Sequence, residues 1–573
     1  EIGAEEANKL QGFVDWKKRP VEKSKHGGIL PAVFVLVSEV FENLAFLANA
    51  TNLVNYFYGF MHFSLAKSAN TLTNFMGTSF LLALLGGFIS DTFITTYWTV
   101  ITFALVELIG LVILTIQAHY PSLKPPACNT ATSVVGICKQ VEGGEAAMLY
   151  IGLYLVALGV GGVKGSLPVH GADQFDENHG KERKLRSKFF NWFLFSMCAG
   201  SLLAVTFVVW VQENKGWQWG FGLSSISILL VLAFFVLCTC KYRNRIPTGS
   251  PLTRIAQVIV AAVRKQRIGN QVSTDDTNYG SDKENGNVTP RTPQFRFLDK
   301  ASIRDPKMVC ANGQESPWRL CPVTQVEDVK IMVRVLPIFA STIMMNCCIA
   351  QLQTFSVRQA TTMDRKIKGF LVPAASLPSI PVISMMILIP LYDLFFVPFA
   401  RRITGRETGI THLQRVGVGL LLSVLSMAVA AVVEVKRKSV AKEHGLIDSP
   451  LPLPITFLWV GLQYFALGLA DMFALVGLME FFYTQAPSRM RSLATALSWT
   501  SISMGYFLSS ILVSLVNSVT RRVGDDVGWL SGNNLNRNHL DRFYWLLCAL
   551  GALNFVHYLL WSLWYRYKTQ SPN

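Results

Sequence analysis

About twelve apolar runs, each near the length of one bilayer crossing, restrict what this chain can fold into. Hydrocarbon about 30 Å thick takes roughly 20 residues of α-helix. Runs of that kind lie near 30–57, 72–94, 97–118, 147–170, 188–211, 218–240, 330–356, 371–397, 411–434, 453–483, 491–517 and 541–565. Of 573 residues, 51% are hydrophobic and 15% charged, with a mean hydropathy of +0.35, too apolar for an ordinary soluble protein of this length. The expectation is an all-α, multi-pass integral membrane protein.

The formal charge of +16 does not point to nucleic acid, because the basic residues are dispersed among loops between the apolar runs, where membrane orientation accounts for them. Lys17, Lys18, Arg19, Lys23 and Lys25 precede the first run. Lys181, Arg183, Lys184, Arg186 and Lys188 separate the fourth from the fifth. Both segments are expected in the cytoplasm, and an even number of spans puts both termini there. Lys436, Arg437 and Lys438 fall on the expected outer side and blur the pattern. The opening EIGAEEANKLQGFVDWKKRP lacks an apolar core with a cleavage site, so it does not read as a signal peptide. Ten cysteines without CxxC pairing and nine histidines without HExxH spacing argue against a metal site. Cys128 and Cys138 share an expected outer loop, where a bridge and chance proximity are equal readings. No nucleophile and base pair or cofactor fingerprint stands in the spans, so no enzyme and no cofactor are expected.

A polar interruption divides the runs six and six. The segments are 1–29, a first six-helix bundle 30–240, a cytoplasmic linker 241–327, a second bundle 328–566 and a tail 567–573. The linker centre, GNQVSTDDTNYGSDKENGNVTPRTPQ, is too poor in large apolar residues to fold alone. Thr289 and Thr292 each precede proline, which makes a kinase a candidate partner; a plain flexible linker is the favoured reading. A faint repeat supports the division: GGFISDTFITTYW carries Asp91 after the second run, and PLYDLFFVPFARRITGR carries Asp393 after the eighth. Duplicated halves around a central cavity are a transporter architecture.

Acids inside the spans carry the chemistry. Glu39, Glu42 and Asn43 project from one face of the first helix. Charge at bilayer depth costs several kcal/mol, so such groups face a watery cavity or change protonation. Two acids on one face also hinder each other's ionisation, which suits a proton carrier; the bland alternative leaves Glu39 solvated at the interface. Lys164, in the small-residue run GVGGVKGSLP, is placed to reach a carboxylate in a cavity, or to snorkel. Glu480, ahead of Phe481 and Phe482, reads as a gate or coupling acid or as an end group. Gln351 and Gln353 can hydrogen-bond a ligand or a neighbouring helix.

The segment FFNWFLFSMCAGSLLAVTFVVWVQENKGWQWGFG, with HGADQFDE, FRFLDKA, THLQRVGVG and APSRMRS, resembles the plant nitrate/peptide transporter family (NPF) of proton-coupled oligopeptide and nitrate transporters, from His26 to the last span. The resemblance implies a twelve-helix major facilitator fold, two six-helix halves around a cavity, working by alternating access with inward proton flow. Family members carry E-x-x-E-R on the first helix; here Glu39-Val40-Phe41-Glu42-Asn43 replaces the arginine, removing the cation that would hold both acids ionised. That form resembles the subgroup associated with abscisic acid and gibberellin import. Where the family's dual-affinity nitrate transporter has a nitrate-contacting histidine, this chain has Ile349, which cannot donate to a small anion. The regulatory threonine after helix two matches Thr99, but the arginine expected three residues earlier is Thr96, which discounts that switch. The function expected is plasma-membrane, proton-coupled symport of a weak-acid hormone. Glu39, Glu42, Lys164 and Glu480 couple protons, and Asn43, Lys164, Ile349, Gln351, Gln353, Phe355 and Trp499 line the site. The rivals are transport of nitrate or another small anion, and a hormone receptor signalling through the linker.

Overall fold

The computed structural model describes residues 9–567 apart from 24, 64, 126–139, 177–178, 248, 267–291, 304–315, 368–369, 373–376, 407, 450, 524–527 and 531–533. Cys128, Cys138 and Thr289 lie outside the described residues. Among those described, twelve helices have the length and apolarity to cross a membrane. They are α1 (Ile29–Phe60), α2 (Asn70–Thr92), α3 (Thr96–His119), α4 (Gly143–Ala172), α5 (Gly180–Asn214), α6 (Trp217–Leu237), α7 (Val323–Thr361), α8 (Ser379–Thr404), α9 (His412–Glu443), α10 (Leu458–Gln485), α11 (Ser488–Arg522) and α12 (Leu540–Trp564). The side of the bundle that carries the start of α1, the end of α12 and the linker is called the linker face below.

The two sets of six helices repeat each other in detail. Asn43 on α1 donates to Ser201 Oγ on α5 at 2.7 Å, and Asn346 on α7 donates to Ser501 Oγ on α11 at 2.8 Å. Beside each pair a glycine lets the backbones touch. A Cβ at Gly200 would stand 2.3 Å from the Val40 carbonyl oxygen, and one at Gly505 would stand 2.4 Å from Asn346 Cβ. Small residues of this kind replace the hydrophobic driving force that helices lack in lipid. Both α1 and α7 widen into a π turn near their far ends, at Tyr56–Phe60 and Leu352–Ser356.

Charges missed by hydropathy explain where the helices outrun the expected spans. α9 continues past 434 because its charges are paired. Glu434 holds Arg437 by two 2.7 Å bonds with neither side chain exposed, Lys438 meets Asp541 at 2.8 Å, and Lys436 lies 3.6 Å from the centre of the Trp459 ring. The basic triplet that blurred the orientation signal is thus balanced locally. α7 begins at Val323, inside the segment read as linker, because Lys330 is buried between Asp299 (2.6 Å) and Glu327 (2.9 Å). α8 begins later than 371, since Phe370–Leu371 pairs with Lys366–Ile367 and Pro378 caps the helix.

The described parts of the linker are folded onto the bundle. Helix Pro251–Arg264 starts with Ser250 accepting from the Thr253 N–H at 3.1 Å and Pro251 in the first turn. It buries Val258, Ala261 and Ala262 against Leu298, Ala301, Cys321, Val326 and Val329. Upstream of α1, strands β1 (Lys9–Val14) and β2 (Pro20–Glu22) form a sheet with β3 (Asn244–Arg245), in the order β2-β1-β3.

The glycine contacts generate a prediction. Gly200→Val and Gly505→Val should each destabilise the protein by about 1–3 kcal/mol through overpacking, read as a lowered thermal midpoint in detergent. Thr206→Val, on an exposed position of α5, should leave that midpoint unchanged.

Candidate functional site

Lys164 lies in the interior of the bundle with five polar and aromatic neighbours from two other helices. Its Nζ stands 2.8 Å from Glu42 Oε2, 3.4 Å from Asn43 Oδ1 and 3.9 Å from Glu39 Oε1. The rings of Phe46 on α1 and Trp499 on α11 close over the same ammonium, each with its centre 5.1 Å away. Trp499 stacks on Phe80 of α2 at 5.8 Å with the planes 2° apart. Lys164 is 1% exposed, and Glu39 and Glu42 are fully buried. The solvated reading of Glu39 and the snorkelling reading of Lys164 therefore do not hold.

The arginine-to-asparagine departure has a local explanation. The Asn43 amide donates to the Met197 carbonyl and to Ser201 Oγ, both at 2.7 Å, while its oxygen accepts from Lys164. Asn43 braces the ammonium and α5, with no donor left for a cargo. An arginine here would bring a second cation beside Lys164. A third acid, which the sequence reading passed over, completes the cluster. Glu107 on α3 is fully buried, and the charged groups acting on it are Glu42, Lys164 and Glu39. Its signal was available as a lone glutamate amid ITFALVELIGLV, but it sits with no second polar residue to draw attention. Asp471, midway along α10, was passed over for the same reason.

The other expected site residues divide. Trp499 joins the lysine cage. Glu480 does not; it lies near the linker-face end of α10, with His412 Nδ1 at 3.6 Å and Arg415 Nη1 at 4.0 Å, a pairing within the second half. Gln351 is buried and donates to Ser509 Oγ at 2.6 Å, so it ties α7 to α11. Phe355 packs edge-on against Phe543 of α12 with centres 5.8 Å apart, which corrects its place in a shared pocket. Ile349 is half-buried among apolar neighbours of the second half. The Gln353 side chain lies outside the described residues. Thr99 is buried and donates to the Thr95 carbonyl at 3.1 Å, and Thr96 is bonded to His170 Nδ1 at 3.0 Å.

On the linker face the two halves are closed on each other, and the repeated aspartates do the closing. Asp91 at the end of α2 accepts the backbone N–H groups of Ser492 (3.3 Å) and Leu493 (2.9 Å) near the start of α11, where free donors and the helix dipole favour an anion. Asp393 on α8 accepts from Asn191 Nδ2 of α5 at 3.1 Å, with Lys188 Nζ at 3.8 Å. Between these two latches Tyr483 of α10 donates to Asp173 at 2.5 Å, and Arg245 bonds both Asp173 and the Ser488 carbonyl. The aspartate and tyrosine contacts cross from one half to the other, and Arg245, from the linker, bridges Asp173 of the first half to Ser488 of the second.

Residues 97–530 match the model of a family described as the POT family. Two Arabidopsis thaliana proteins are each 53% identical to this chain: Protein NRT1/ PTR FAMILY 4.6, over 99% of this chain and 98% of the relative, and Protein NRT1/ PTR FAMILY 4.5, over 98% of each. Among solved structures, an auto inhibited POT family peptide transporter superposes with a TM-score of 0.61 at 19% identity, covering 95% of this chain and 98% of the other.

Asp91→Ala should loosen the linker-face closure. A buried donor left without its acceptor costs about 1–3 kcal/mol, a factor of roughly 5–150 in the ratio of closed to open molecules. The buried Ser498, exchanged for cysteine, should react with an impermeant maleimide applied to the linker face faster by that factor when Asp91 is alanine.

Proposed function

The chain belongs to the POT family and is a proton-coupled secondary transporter, and on that premise we propose that it imports a weak-acid hormone, abscisic acid first and gibberellin second, across the plasma membrane with its termini and linker in the cytoplasm. The basic residues flanking α1 and α5 at the linker face support that orientation.

The observation that carries the reading is the buried Lys164–Glu42 ion pair beside a second acid, sealed by Trp499. Breaking such a pair without replacing a partner is costly, about 3–5 kcal/mol. Lys164 therefore leaves Glu42 only when Glu42 takes a proton and another anion takes the ammonium. A cargo carboxylate meets that requirement, and proton and cargo then enter together. Reversal on the other side, with Glu42 giving up its proton and reclaiming Lys164, expels both. Glu39 shares the proton with Glu42, and Glu480, held by His412 and Arg415, couples the second half to opening at the linker face. Phe46, Phe80 and Trp499 offer ring surfaces suited to an isoprenoid-derived skeleton. Ile349 speaks against a small anion, having no donor to offer.

A kinase acting on the linker belongs to the same reading. Thr292 precedes Pro293, and its hydroxyl donates to Glu327 Oε2 at 2.7 Å, so a phosphate there would face a carboxylate.

The test is uptake of radiolabelled abscisic acid, with labelled nitrate in parallel, in cells expressing the chain at acidic and neutral external pH, after subtraction of empty-vector cells. Saturable, acid-stimulated hormone uptake is expected, with the acid stimulation lost in Glu39→Gln and in Glu42→Gln. Nitrate uptake alone would turn the cargo assignment to small anions. Deleting 267–291 should leave flux largely intact; loss of output with no flux to begin with would favour a receptor.

A further inference from the structure

Glu107 is the one member of the buried cluster with no task in the reading above, and it is the most isolated. Among the described residues neither of its carboxyl oxygens has a hydrogen-bond partner, and neither is exposed. The side chain is held close by α4, where a Cβ at Gly159 would stand 2.4 Å from Glu107 Cβ and 2.6 Å from its backbone nitrogen. That glycine is on the helix that carries Lys164, five residues before it. The charged groups facing Glu107 are Glu39 and Glu42 from α1 and Lys164 from α4. α6, packed on another side of α3, carries no titratable side chain between Trp217 and Leu237. α2 carries only Asp91, and β3 only Arg245, both at the linker face.

One ammonium balances one carboxylate, and Glu42 has it at 2.8 Å. A second ionised acid in this dry cluster would be an uncompensated buried charge costing several kcal/mol. Glu107 is therefore a neutral carboxyl in the closed state, with one O–H and one bare oxygen both unengaged. A group in that condition can give a proton from one oxygen and take another at the second, which amide or hydrocarbon side chains cannot do.

We propose that Glu107 is a proton-relay residue of the transport site. When the cargo anion draws Lys164 from Glu42, the Glu107 O–H bond breaks, the proton bonds to the Glu42 carboxylate directly or through one water, and Glu107 is reprotonated at its other oxygen by a proton of the outer solution, passed along the water that fills the open cavity. On unloading the sequence runs backwards, and no proton or charge is gained or lost at Glu107 over a cycle. It sets the rate of proton exchange at the site and leaves the stoichiometry to Glu42.

This inference rests on the proton-coupled reading of the site, and the experiment separates the two. Glu107→Gln, Glu107→Asp and Glu42→Gln are compared for net uptake driven by a pH gradient and for counterflow, the exchange of labelled for unlabelled cargo at equal pH, in which the loaded carrier shuttles without giving up its proton. Labelled abscisic acid is the probe, or nitrate if nitrate is the ion carried. Glu107→Gln should lower net uptake about 100-fold or more while counterflow stays within about twofold, and Glu107→Asp should recover part of the net rate. Wild-type net uptake in Glu107→Gln overturns the relay. Loss of uptake and counterflow together also overturns it, since that is the signature of a packing role. Acid-driven uptake that survives in Glu42→Gln brings down the coupling reading itself, whatever Glu107 does.

Discussion

Three buried acids surround one ammonium, which balances the charge of only one of them, and the closed arrangement of the helices depends on keeping that group in balance. Lys164 can stay in the interior only because Glu42 is at 2.8 Å and Asn43 supplies a further oxygen. Asn43 in turn is fixed by α5, and α5 approaches α1 closely only because Gly200 has no side chain. The second half contributes the lid, since Trp499 belongs to α11 while Lys164 and Phe80, which it covers, belong to α4 and α2. Closure of the halves and drying of the ion pair are therefore one event. A dry surrounding strengthens each electrostatic contact, so the state of charge in the first half bears on whether the second half stays shut.

The membrane architecture was legible because it rests on run length, which the chain cannot disguise. Glu39, Glu42 and Lys164 were legible too, as polar residues where lipid forbids them without a partner. What escaped was whatever depends on pairing between distant positions. Glu107 looked like an isolated anomaly until α4 and α1 were set against it. Lys436, Arg437 and Lys438 read as a topology signal because Glu434, Trp459 and Asp541 are invisible as partners in one dimension. Phe355 was assigned by its neighbours in sequence to a pocket, whereas its direction on the π turn sends it to α12. Asp91 and Asp393 were seen as a repeat, but their role as acceptors for the opposite half follows only from how the halves meet.

The two aspartates also show how a duplicated unit makes an interface. Copies of the same helix pair meet in reciprocal fashion, α2 with α11 and α8 with α5, so one residue type at one position serves both rims of the closure. The partners have diverged, one being backbone at a helix start and the other an asparagine with a lysine nearby. Rims of unequal chemistry need not part at the same moment, and the weaker one defines the edge from which the bundle opens.

The small sheet beside this closure has an implication for biogenesis. β1 and β2 leave the ribosome ahead of α1, while their partner β3 follows α6, about 230 residues later. At roughly 5–20 residues per second, that separation is about 12–46 s of synthesis. During it the hairpin must wait unpaired while six helices enter the bilayer. Its docking onto β3 marks completion of the first bundle, and it positions Arg245 before the second bundle that will close against it exists.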